Sequence, residues 1–181
     1  LTATTVSSSQ IDLQWADNSD DEAGFDIERR TFGQDDWEYI ACVEADQTTY
    51  SDFGLIENTQ YFYRVYAFDD WFNVSDYSNE DSATTLQSIP IAPLALDAVT
   101  ISTSQIDISW LDNSFNEDGF KIDRKIEPDT TWVYLVSVNS GTSFYNDTDL
   151  TENTTYSYRI YAFNNAGNSD YSNVVTNTTY Q

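Results

Sequence analysis

The stretch SSQIDLQWADNSDDEAGFDIERR, residues 8–30, returns as TSQIDISWLDNSFNEDGFKIDRK at residues 103–125, with Trp15 over Trp110. The same offset of 95 residues places Trp37 over Trp132, Tyr50 over Tyr145, and NTQYFYRVYAF (58–68) over NTTYSYRIYAF (153–163). Beyond that point the offset falls by one, because Ser75 lies over Ser169. Such a period is too long for a helical solenoid and suits a small β-sandwich of about 100 residues. Local patterns agree. IDLQW, FDIER, WEYIACV and YFYRVYAF are short, rich in β-branched and aromatic residues, alternate with period two, and are broken by Asn, Asp, Gly and Ser clusters. No helical periodicity competes, so the expectation is an all-β chain with antiparallel neighbours.

The repeat sets expected boundaries: one domain over 1–86, a second over 96–181, and a proline-containing linker at 87–95 that enters the second domain's first strand. Pro90 and Pro93 stiffen that connector and remove two ladder donors. TTYQ at 178–181 lies over TTLQ at 84–87, where the first copy hands over to the next, so the chain is expected to be a window from a longer tandem array.

Composition narrows function. The 31 Asp and Glu residues face only 7 Lys and Arg, a formal net charge of −24, while 40% hydrophobic and 15% aromatic residues supply cores. A surface this negative makes nucleic acid and anionic lipid poor partners, and no stretch is apolar and long enough for membrane insertion as a helix. Histidine is absent, which removes the commonest general base and transition-metal ligand. Cys42 is the only cysteine, so neither an intrachain disulfide nor a cysteine-rich zinc site can be built.

The run Trp15, Asp17, Asn18, Ser19, Glu22, Gly24, Phe25, Ile27, Arg29, repeated from Trp110 to Arg124, resembles fibronectin type III domains of the bacterial and archaeal extracellular type. A second signature also occurs twice, as Leu55, Thr59, Tyr61, Tyr63, Arg64, Val65, Ala67 and as Leu150, Thr154, Tyr156, Tyr158, Arg159, Ile160, Ala162. The resemblance implies two tandem immunoglobulin-like antiparallel β-sandwiches, with Trp15 and Trp110 in the cores and Tyr61 and Tyr156 as tyrosine-corner residues. It implies little about function, because this sandwich serves as spacer, adhesin and receptor module alike. If Tyr61, Tyr63, Val65 and Ala67 point inward, then Phe62, Arg64, Tyr66 and Phe68 point outward, and Glu28–Arg64 and Asp123–Arg159 become cross-strand pairs.

Candidate sites are few. DNSDDE offers Asp17, Asp20, Asp21 and Glu22 as oxygen ligands for calcium, but lacks EF-hand spacing and reads better as a turn; no cofactor is otherwise expected. Close carboxylate pairs are unavoidable at this acid content, and phosphate loops and nucleophile elbows are absent, so an enzyme is not expected. Sequons at Asn73, Asn146, Asn153 and Asn177 are candidate N-glycosylation sites of an exported chain. The sharpest candidate is a partner-binding set: Phe62, Tyr66, Phe68, Trp71 and Phe72, whose counterparts in the second copy are Ser157, Tyr161, Phe163, Ala166 and Gly167. The functional expectation is a non-catalytic structural or adhesive module, extracellular or at the cell surface. Its expected partners are other copies of itself or neighbouring repeats of an array or filament. The alternative is a glycan-binding or spacer module, with a polysaccharide as partner, attached to a secreted hydrolase.

Overall fold

Alternating patterns become strands throughout: a computed structural model describes all 181 residues and contains fifteen strands and no helix. The chain divides into two units, Leu1–Gln87 and Ser88–Gln181. In the first, β1 (Thr2–Thr5), β2 (Gln10–Gln14) and β5 (Thr49–Phe53) form one antiparallel sheet in the order β1-β2-β5. Facing it is a sheet in the order β4-β3-β6-β7, from β3 (Gly24–Thr31), β4 (Glu38–Glu44), β6 (Gln60–Phe68) and β7 (Asp81–Thr84). The second unit repeats the plan. It has β8 (Leu94–Thr100), β9 (Ile106–Leu111) and β12 (Phe144–Asp147) on one side, and β10 (Gly119–Ile126), β11 (Val133–Asn139), β13 (Thr155–Asn164), β14 (Gly167–Asn168) and β15 (Val175–Thr178) on the other.

Each core is filled by the inward half of the alternation. In the first sandwich Ile11, Leu13, Phe25, Ile27, Tyr61, Tyr63 and Val65 are buried between the sheets, with Trp15 edge-on to Phe25 at 5.7 Å. The counterparts Ile106, Ile108, Phe120, Ile122, Tyr156, Tyr158 and Ile160 fill the second, around Trp110. The motif glycines have a steric reason: a Cβ on Gly24 would collide with the Val43 carbonyl oxygen, and one on Gly119 with that of Val138. The corner tyrosines accept backbone hydrogen bonds as the resemblance implies, Ile56 N–H to Tyr61 at 2.9 Å and Thr151 N–H to Tyr156 at 3.0 Å.

Two buried carboxylates cross-link the sheets. Asp52 accepts two hydrogen bonds from Arg29 and one from the Tyr63 hydroxyl, and Asp147 does the same with Arg124 and Tyr158. Burial and the adjacent carboxylate push both tyrosine pKa values far up. The expected linker also acquires detail. Pro90 and Pro93 are buried, and the Ser88 carbonyl accepts from Asn164 at 2.8 Å and Asn116 at 3.1 Å, so residues 88–93 are packed into the second sandwich.

Candidate functional site

The outward face of the β4-β3-β6-β7 sheet, and of its β11-β10-β13 counterpart in the second sandwich, carries the expected cross-strand pairs. Glu28 stands opposite Arg64 in register, with their closest charged atoms 2.6 Å apart, and Asp123 stands opposite Arg159 at 3.0 Å. Arg64 is clamped between the rings of Trp37 (4.3 Å) and Tyr77 (3.7 Å), and Arg159 between Trp132 (4.5 Å) and Tyr171 (3.7 Å). Tyr66 donates to Asp26 at 3.0 Å and packs edge-on against Tyr77; loss of solvent and the Asp26 bond push its pKa up to about 12. Arg30 lies 4.4 Å over Phe62, and Phe68 packs against Gly24.

The five aromatics expected to form one partner surface therefore divide. Phe62, Tyr66 and Phe68 are half-buried and engaged within their own sheet. Alternation identifies them as outward but cannot show what covers them, and the covering residues, Trp37, Tyr77 and the arginines, come from other parts of the chain. Repetition was the available signal, since Trp37 and Tyr77 both recur in the second copy.

Trp71 and Phe72 are different: each is 85% exposed. Their loop is built by Asp69, whose carboxylate accepts the N–H groups of Trp71 (2.9 Å) and Asn73 (2.8 Å) and the Asn73 carboxamide (2.8 Å). The Asn73 bonds and the Trp71 amide hold Asp69 below the usual carboxylate range. Two backbone bonds, Phe72 N–H to Asp69 and Asp69 N–H to Asn73, close the turn, and Val74 bridges back to Phe68. This geometry places Phe72 at φ 62°, in the left-handed region that costs a bulky residue about 1–2 kcal/mol. The second copy's loop is one residue shorter and carries Ala166 and Gly167, with no large aromatic. The loop thus holds two large aromatics in water on a preset, strained backbone.

In DNSDDE, Asp17 accepts the Ser19 N–H at 3.0 Å, and Asp112 accepts the Ser114 N–H at 3.1 Å, which is the turn geometry. The four expected calcium ligands do not converge as a set. Asp17 and Glu22 meet Asp46, all three carboxylates within 4.8 Å of one another, and Asp20 and Asp21 lie outside that group. Glu22 is held below its usual range by backbone N–H groups, its own and that of Asp46. Asp46, at φ 63°, lies outside DNSDDE and aligns with Gly141, so neither the local motif nor the repeat marks it. Of the sequons, Asn146 and Asn153 are exposed, whereas the carboxamides of Asn73 and Asn177 donate to Asp69 and to the Ala98 carbonyl.

Comparison with known proteins gives consistent answers. The fibronectin type III domain model matches residues 91–178, the second sandwich. Exoglucanase B of Cellulomonas fimi is 27% identical over 93% of this chain, which spans 15% of that enzyme's length. The crystal structure of the chicken CNTN1 FN1–FN3 domains superposes on 99% of this chain and 65% of its own, with TM-score 0.53 and 21% identity. The segment of two fibronectin type III domains from chicken tenascin superposes on 98% of this chain and 96% of its own, with TM-score 0.52 and 14% identity. With the internal repeat extending the match to the first sandwich, the chain is a tandem pair of fibronectin type III domains.

Proposed function

We propose that this chain is a non-catalytic structural and adhesive module of an extracellular or cell-surface protein, one stretch of a longer repeat array, whose outward contact is made by Trp71 and Phe72. The observation that carries the reading is Phe72: a large apolar residue held at positive φ and 85% exposed, in a loop one residue longer than its twin. Backbone strain retained in water points to a use outside the fold. A rigid aromatic pair gives large contact area at low entropic cost, the property that makes Trp and Tyr interface anchors. The repeated Arg–Asp–Tyr clusters support a structural reading of the most perturbed groups, since both copies seal them identically between the sheets. A second copy of the chain is the first partner to test, because head-to-tail contacts that do not close make filaments. Sedimentation velocity in about 1 M salt, where the Debye length of about 3 Å suppresses repulsion, should show concentration-dependent association that Trp71→Ala abolishes. Monomers throughout would sink the self-assembly reading.

The relation to Exoglucanase B favours a second reading, a spacer or glycan-binding module beside a hydrolase. On that reading Trp71 stacks on sugar rings. Retention on a glycan panel that survives Trp71→Ala would remove the glycan role and leave the spacer.

A further inference from the structure

The edge strand β12 of the second sandwich presents an aromatic ring and a sequon on one face. It pairs only with β9, in the sheet order β12-β9-β8. Tyr145 and Asp147 turn toward the core and its buried ion pair, so by the period of two Phe144 and Asn146 face outward. Phe144 is 65% exposed, and the residue opposite it in the ladder is Ser109, too small to cover a phenyl ring. The equivalent strand of the first sandwich, β5, has Thr49 and Ser51 at these two positions, so the fold requires neither Phe144 nor Asn146.

The four sequons are not equally placed for modification. The carboxamides of Asn73 and Asn177 are held by Asp69 and the Ala98 carbonyl. The hydroxyls that complete the Asn153 and Asn177 sequons are also engaged, Thr155 with Thr178 and Thr179 with the Thr151 carbonyl. In Asn146-Asp147-Thr148 both the asparagine and the threonine are exposed. Residues two apart on a strand lie about 6.7 Å from one another on the same face, within reach of a sugar ring carried on an asparagine side chain. The C–H face of a pyranose is apolar and can cover a phenyl ring that the fold leaves in water.

We propose that Asn146 is an N-glycosylation site and that Phe144 is the platform on which its first sugar, an N-acetylhexosamine, packs. In the transfer, Asn146 Nδ2 attacks the anomeric carbon of a glycan carried on a lipid phosphate. The carbon–oxygen bond to phosphate breaks, the lipid phosphate leaves with the electron pair, and the amide proton passes to the transferase's base. The glycan shields an edge strand whose free backbone groups could otherwise pair with another chain. This inference rests on the extracellular placement proposed above, because donor and transferase act on exported chains, and it is independent of Trp71 and Phe72.

The test is the whole chain secreted from a eukaryotic host, which supplies donor and transferase, with glycopeptide mass spectrometry reading each sequon. Asn146 should carry a glycan that begins with N-acetylhexosamine. Calorimetry then compares the fraction occupied at Asn146 with Asn146→Gln, each with and without Phe144→Thr, which copies the first sandwich. The glycan should raise the melting temperature of the second sandwich by a few degrees when Phe144 is present. Phe144→Thr should remove most of that rise, and the N-acetyl methyl NMR signal, shifted upfield by the ring in the parent, should return to its free position. A secreted chain unmodified at Asn146 would overturn the proposal, as would a rise in melting temperature that Phe144→Thr leaves unchanged. Because the host exports the chain, neither result bears on where the protein resides, so failure here is distinguishable from failure of the extracellular reading.

Discussion

Phe72 separates two effects that usually travel together, exposure of an apolar side chain and strain in its backbone. Its side chain is 85% exposed, so removing it forfeits little burial. Glycine at φ 62° relieves about 1–2 kcal/mol of steric cost and gives back about 0.5–1 kcal/mol in unfolded-chain entropy. Phe72→Gly should therefore stabilise the first sandwich by roughly 0.5–1 kcal/mol, a rise of a few degrees in its melting temperature. Phe72→Ala keeps the Cβ that causes the strain, and should leave stability within about 0.5 kcal/mol of the parent. Equal melting temperatures for the Gly and Ala variants in a calorimetric scan would show that the backbone is not strained. Sequence could reveal the asymmetry between Trp71-Phe72 and Ala166-Gly167, because alignment compares residue types. It could not reveal that Phe72 is left-handed, because that depends on hydrogen bonds closing around Asp69.

The loop is therefore best understood as an element fastened at one carboxylate. Asp69 is held below the usual range by the Asn73 side chain and by the amides of Asn73 and Trp71, so its folded pKa lies beneath its unfolded value. The sign follows: its contribution is complete above the ordinary carboxylate pKa of about 3.9, and is lost as pH falls through the lower folded value. The backbone amides of Trp71 and Asn73 should keep their NMR positions from neutral pH down to that range and shift together only below it. The second sandwich supplies the control, since Asn164 accepts the amides of Ala166 (2.9 Å) and Gly167 (3.2 Å) through a carboxamide that does not titrate. Asp69→Asn should then preserve the turn while flattening its acid response. A loop that unfolds in this variant at neutral pH would show that charge, not the acceptor oxygen, holds it. The strands around the loop were far more legible than the loop. Period-two alternation fixes which side of β6 faces the core, and the Glu28–Arg64 register follows from it, whereas what lies over an outward aromatic is decided by residues distant in sequence.

At the scale of the whole molecule the governing quantity is charge. Six of the seven cations pair with carboxylates, and the seventh, Lys121, lies 4.5 Å over Phe163, so cations are committed within their own sandwich. Most of the 31 acids have no cation opposite them, and the folded chain concentrates their repulsion more than the unfolded chain does. Exposed ion pairs are worth only about 0–1 kcal/mol each, and the Asp52 and Asp147 clusters are shielded from solvent salt by burial. Screening therefore removes more repulsion than attraction. The melting temperature should rise as sodium chloride increases from about 0.05 M to about 1 M, while the Debye length falls from more than 10 Å to about 3 Å. Calcium and magnesium distinguish general screening from a cage at Asp17, Glu22 and Asp46. Their charges are equal, but calcium accepts irregular oxygen shells and magnesium demands near-octahedral geometry. If these carboxylates only brace a turn, the two ions at equal concentration raise the melting temperature equally, and Asp46→Gly changes neither response. An excess shift with calcium that Asp46→Gly removes would make the triad a calcium site, and a melting temperature that falls with sodium chloride would show attraction outweighing repulsion on this surface.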